Sequence, residues 1–166
     1  MPFLRLFLDI CLFRKGPEDV PASLFLLGLT LLGYALVGLF LLSFQTGFGA
    51  ALPQVLAEGV LNLVFVRFLV WIANKPHRFL QAAIALMGTD ALISFLALPL
   101  LLAQGVEALA RMTHLPLLVM TIWHIAVSGM IFGRAVSKSL PIGIAVALLY
   151  TVLSVQLMAW LFPPAI

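Results

Sequence analysis

Apolar positions in this chain do not alternate with polar ones. They gather into five long runs separated by short polar punctuation. A helix crossing the hydrocarbon core of a bilayer needs about 20 apolar residues, and the runs at residues 24–44, 52–73, 79–103, 115–133 and 141–162 meet that need. The first, "LFLLGLTLLGYALVGLFLLSF", and the fifth carry no charge. The second carries Glu58, Asn62 and Arg67, the third Asp90, and the fourth His124. Between them stand "QTGFGAA", "NKPHR", "QGVEALARMTH" and "GRAVSKS". Pro53, Pro116 and Pro141 fall near the starts of three runs, where a missing N–H costs nothing. Thr113 and Ser139 are candidate caps for the last two spans. Pro99, near the end of the third, should bend or loosen it.

Residues 1–15, "MPFLRLFLDICLFRK", are apolar but too short to span, and Asp9 interrupts them. No small-x-small cleavage site follows, so a cleaved signal peptide is not expected. Arg5 and Asp9, four apart, share a narrow polar stripe on an otherwise apolar helix. This predicts an amphipathic interfacial helix lying on the cytoplasmic leaflet. "KGPEDVPAS" then turns the chain into the bilayer.

Composition fixes the solvent. Hydrophobic residues make up 64% of the chain and charged ones 9%, and the mean hydropathy is +1.21. A soluble domain is near half apolar and a quarter charged, so the surroundings here are lipid. The expected architecture is all-α: a five-helix transmembrane domain over residues 23–166, preceded by an interfacial helix and turn over residues 1–22. Cys11 is the only cysteine. That excludes an intramolecular disulfide, membrane thiol oxidoreductases that need a cysteine pair, and cysteine-cluster metal sites. A net charge of +3 is too small and dispersed for nucleic-acid binding. Its distribution instead sets orientation. Arg5, Arg14, Lys15, Lys75, Arg78, Arg134 and Lys138 share one side of a five-span topology, against Arg111 alone on the other. The positive-inside rule then places the N-terminus in the cytoplasm and the C-terminus outside. Trp71 and Trp160 fall near opposite interfaces.

Depth reveals a second pattern. Asp90 lies eleven residues into its span, roughly 16 Å at helical rise. His124, Asn62, Tyr34 and Tyr150 fall at a similar level on the other four helices, so one hydrogen-bonding side chain per helix could meet near the midplane. An Asp at a helix centre costs roughly 2.5–3.5 kcal/mol on insertion scales and needs a partner. His124 is the first candidate by depth. Arg67 comes second, though it can also snorkel to the headgroups, as can Glu58 near the outer interface. An Asp90–His124 pair reads either as a hydrogen-bonded staple or as a proton relay. Gly129 and Gly133 form a GxxxG strip for close helix approach, within the bundle or in a homodimer. No phosphate-binding loop, nucleophile elbow or zinc-protease motif occurs. The expectation is a protein that is not an enzyme and has no cofactor, no metal and no catalytic residue.

The stretch "TIWHIAVSGMIFGRAVSKSLPIGIAVALLYTVLS" resembles the YIP family of five-span membrane proteins (Ypt/Rab-interacting proteins and their bacterial relatives). Trp123, Gly129, Lys138 and Gly143 carry the likeness, through an aromatic-led span, a short basic turn and a Gly/Ala-rich last span. The long polar N-terminal region of the eukaryotic members has no counterpart here, which puts any carry-over of Rab binding in doubt. The resemblance implies a non-enzymatic protein acting through partner proteins, lipids or membrane shape. The leading expectation is therefore a scaffold or assembly factor in a bacterial cytoplasmic membrane, in contact with lipids and with other membrane proteins or a second copy of itself. The rival is a small proton-linked transporter or channel subunit using Asp90 and His124. A scaffold predicts a dry, packed midplane. A transporter predicts a polar cavity reaching one face, and a broken helix near Gly88 and Asp90 would favour it.

Overall fold

The structure is a computed structural model that describes residues 2–104 and 107–163. Among these residues the fold is entirely helical, with α1 over Pro2–Cys11, α2 over Leu24–Thr46, α3 over Phe48–Ile72, α4 over Phe79–Ala103, α5 over Glu107–Ala135 and α6 over Leu140–Leu161. All but α1 are long and apolar enough to cross a membrane. The protein is thus an integral membrane bundle.

Two of the helices begin earlier than the hydropathy runs. α3 starts at Phe48, immediately after Gly47 at φ 80°, and α5 starts at Glu107. Pro53 and Pro116 are therefore interior residues rather than first-turn prolines, and they deprive the Gly49 and Met112 carbonyls of their helical donors. Thr113 does not cap α5 either. It lies inside the helix, where its hydroxyl donates to the Ala110 carbonyl at 2.8 Å. α4 runs unbroken through Gly88 and Asp90, and Pro99 also lies within it. Ser23 caps α2, its hydroxyl accepting from the Leu26 N–H at 3.4 Å. Ser139 is the extended residue before α6 but makes no side-chain cap bond.

α4 is the hub. Its residues from Ala82 to Asp90 are all buried, because small side chains at Ala82, Ala83, Ala85 and Gly88 let neighbours approach from several sides. One apolar cluster joins α4 to α1, α2 and α5 through Leu6, Ile10, Leu26, Ile84 and Val127. A second joins it to α3, α5 and α6 through Val66, Val70, Leu86, Phe132 and Ala147.

α1 departs from expectation. Leu6, Phe7, Ile10 and Cys11 are buried against protein, and the Cys11 carbonyl accepts a hydrogen bond from Trp123 Nε1 on α5 at 2.9 Å. Phe7 lies against Gly88, where an added Cβ would meet its ring. The apolar face assigned to the leaflet thus packs on α4 and α5, and Phe3, Leu4 and Leu8 form the exposed side. Gly88 explains this, since only a residue without a side chain leaves room for an aromatic ring at that height. Burial, reinforced by the Asp90 charge, pushes the Cys11 thiol up to about 12.

α1, α3 and α5 end alike, each closed by a residue in the left-handed region: Phe13, Asn74 and Ser137. In each case the next N–H reaches back a full turn, from Arg14 to the Asp9 carbonyl, Lys75 to Val70 and Lys138 to Gly133, which satisfies the last carbonyls of the helix. The ends of α3 and α5 lie together, and polar links tie them to α4 and to the N-terminal turn. Arg78 donates to the Arg134 carbonyl at 2.9 Å and to the Ser137 hydroxyl at 2.8 Å. Lys75 also donates to Ser137, and Arg134 pairs with Glu18 at 2.7 Å. Gln81 donates to the carbonyls of Glu18 and Val20, which fastens the N-terminal turn to α4. This is the basic end of the bundle.

Candidate functional site

Tyr34, Asn62, Asp90, His124 and Tyr150 all line a single cavity of about 300 Å³. Each lies within roughly 5 Å of the middle of its own helix by helical rise. The Asp90 Oδ1 to His124 Nε2 distance is 2.7 Å, so the pair expected from depth is formed. With a carboxylate at Asp90, Nε2 is the donor and a neutral ring leaves Nδ1 as an acceptor; with a carboxylic acid, the bond can run the other way. The Asp90 side chain is 10% exposed and that of His124 43%: the carboxylate is held back in the bundle while the imidazole faces open space. Thr89 does not compete for Asp90, because its hydroxyl donates to the Ala85 and Leu86 carbonyls of its own helix.

Glu58 also lines the cavity, beside the Tyr34 phenol. This corrects its expected place near the outer interface. Because α3 begins at Phe48, Glu58 is a full turn deeper than the hydropathy run indicated and stands roughly 3 Å from the helix middle. Glu58 and Asn62 are four apart and so share one face of α3. That spacing was visible in the sequence and was the signal that could have placed Glu58 with the others.

Arg67 is not part of the cluster. It lines a separate, apolar depression towards the basic end, with its guanidinium 5.7 Å from the centre of the Phe79 ring. The cation there is stabilised by the ring face, and snorkelling accounts for its position.

Two polar atoms on the cavity wall are buried without a hydrogen-bonding partner in the protein: Asn62 Oδ1 and the Tyr150 hydroxyl. Asn62 as a whole is 3% exposed. A buried polar group without a partner costs about 1–3 kcal/mol, so both atoms are conspicuous. Tyr150 is fixed by its ring, which packs on Phe65 at 4.6 Å and Phe132 at 6.1 Å between centroids. The rest of the wall is mixed. Ser94, Ser128 and Thr151 add hydroxyls near the pair, and Leu41, Leu42 and Leu101 continue it towards the end opposite the basic one. Leu101 stands two residues from the end of α4, so the cavity extends from mid-height almost to that face.

Gly129 and Gly133 serve packing inside the bundle. A Cβ on Gly129 would meet Ile144 Cα at 2.8 Å, and one on Gly133 would meet the Ser139 carbonyl at 3.1 Å. α6 therefore covers the strip on which a homodimer would have formed.

Comparison with family models, with curated proteins and with solved structures gives no match. Fold and site together define an integral membrane protein with a largely apolar cavity at mid-height that carries Asp90, His124 and Glu58.

Proposed function

We propose that the protein is a small proton-linked transporter whose exchange site is the mid-height cavity. The observation that carries this reading is the gathering of Asp90, His124 and Glu58 around one cavity of about 300 Å³. Ionisable groups inside a membrane mark ion and substrate pathways because their cost is otherwise unrewarded. A proton entering the cavity meets three side chains able to hold it. An imidazole is suited to pass a proton on at neutral pH, because it binds and releases one there. A scaffold acting through helix and lipid contacts calls for a dry, packed middle instead, and the unpartnered Asn62 Oδ1 and Tyr150 hydroxyl speak against that. By the positive-inside rule the basic end faces the cytoplasm of a bacterial cell, and the cavity then leads towards the outside.

The test is decay of a pH gradient across proteoliposomes containing the full chain, with membrane potential clamped by valinomycin and potassium. Wild type is expected to dissipate the gradient several-fold faster than protein-free liposomes, and Asp90→Asn to return it to the protein-free rate. A wild-type rate equal to that of protein-free liposomes overturns the proposal.

A further inference from the structure

We infer that the solute taken by the mid-height cavity is a small organic cation with N–H donors, of the ammonium or guanidinium class, exchanged against protons. This rests on the proton-linked reading above and names the substrate class for the same site.

The chemistry of the wall selects the charge. Both carboxylates, Glu58 and Asp90, face the cavity, and no Lys or Arg lines it. Arg67, the one basic residue inside an early span, is occupied elsewhere over Phe79. An anion would find no counter-charge and two repelling groups, whereas a cation would find the reverse. Asn62 Oδ1 makes the site more than an acidic cluster. This acceptor is on a cavity-lining residue 3% exposed and lacks a partner in the protein. It accepts a hydrogen bond, and an ammonium or guanidinium group supplies the N–H donor.

The rest of the wall selects size and shape. Most of its surface is apolar, contributed by Val55, Leu86, Ile125 and their neighbours, and the phenol rings of Tyr34 and Tyr150 stand beside the charged groups. Aromatic faces attract organic cations, more strongly when water is excluded. The volume of about 300 Å³ is at the low end for small-molecule sites, which fits a compact cation with a few carbon atoms. A fully hydrated inorganic ion would leave the apolar wall wet.

Exchange follows from the same groups. Asp90 pairs with His124 of α5, and Glu58 of α3, Tyr34 of α2 and Tyr150 of α6 line the same cavity, while Cys11 of α1 is buried in an apolar cluster. When the carboxylates carry protons the cation loses its counter-charge and leaves. When the cation enters, the displaced protons pass through His124 to water. A proton gradient would therefore drive the cation the opposite way.

The test uses acid-loaded proteoliposomes of the full chain and follows internal pH as methylguanidinium chloride is added outside. This probe stays charged at all working pH values. Sodium chloride and the neutral isostere methylurea are the controls. Methylguanidinium is expected to speed proton release several-fold, with sodium and methylurea without effect and Asp90→Asn and Glu58→Gln each abolishing the response. Glu58→Gln guards against a folding defect in the Asp90 variant. Equal acceleration by sodium would overturn the organic-cation assignment, and acceleration by methylurea would overturn the charge argument. Basal proton flux unaltered by every solute would overturn the inference while leaving the proton-linked reading intact. Loss of basal flux in wild type would remove that reading itself.

Discussion

Replacing Gly143 by Ala adds one methyl group at the seam between α5 and α6, and the structure sets its consequence. An added Cβ would meet the backbone of α5: the Gly129 carbonyl oxygen, Gly133 N at 2.8 Å and the Gly129 carbonyl carbon at 2.9 Å. Carbon contacts are comfortable at about 3.5–4.0 Å, and backbone cannot rotate aside as a side chain can. α6 must therefore move away by roughly 1 Å, loosening the contacts beside it. Overpacking of this kind costs typically 1–3 kcal/mol, offset by the roughly 1 kcal/mol by which Ala favours a helix over Gly. Gly28→Ala is the control, because nothing lies within 4 Å of that Cβ and only the helix-propensity gain remains. Equilibrium unfolding in mixed detergent micelles, followed by tryptophan fluorescence, should therefore show Gly143→Ala destabilised and Gly28→Ala as stable as wild type or more so. Gly129→Ala should behave like Gly143→Ala, and the double variant should lose less than the sum, since one displacement relieves both clashes. A Gly143→Ala protein matching Gly28→Ala in stability would refute the glycine seam.

Two further predictions concern α1 and the cavity. With its thiol pushed up to about 12 from 9.0, Cys11 has a roughly thousandfold smaller thiolate fraction at neutral pH, and the thiolate is the reacting species. Alkylation by iodoacetamide should be correspondingly slow in the folded protein and accelerate as pH rises towards that value. Gly88→Ala, whose methyl group displaces the Phe7 ring, should lift α1 and restore fast alkylation at neutral pH; an unchanged rate would show that α1 is not seated on α4. Asn62→Leu removes a buried acceptor without a partner, whose burial costs about 1–3 kcal/mol, so its thermal midpoint in nanodiscs should rise while proton flux falls. A lowered midpoint would mean that Asn62 is bonded within the protein.

Much of the fold was legible because lipid imposes one rule, that a span must be long, apolar and helical. The five runs marked the number of spanning helices and the shared mid-height of Asp90, His124, Asn62 and the two tyrosines. Two things were not legible. Hydropathy marks where a chain becomes apolar, but a helix begins where its backbone can be closed. At α3 that is Gly47 with its positive φ, well before Pro53, and four residues of difference moved Glu58 from the surface to the site. The place of α1 was hidden for another reason. Its amphipathic pattern states that one face avoids water, and does not distinguish lipid from a groove on α4 opened by Gly88.

The distribution of polar links gives the bundle a direction. Cross-helix side-chain bonds gather at the basic end, where Arg78, Lys75, Arg134 and Gln81 fasten the N-terminal turn, α4 and the α5–α6 connection together. Towards the opposite end the cavity is bounded by Leu41, Leu42, Val55 and Leu101, whose dispersion contacts are individually weak and non-directional. α5 and α6 cannot separate without opening the glycine seam, and α2 and α3 are tied at the apolar end by the single residue Gly47 between Thr46 and Phe48. Access to the charges is graded, because Glu58 is already exposed while Asp90 is 7% exposed beside His124. The order of access, first Glu58, then His124, then Asp90, is the order in which an entering cation or proton would meet the charges.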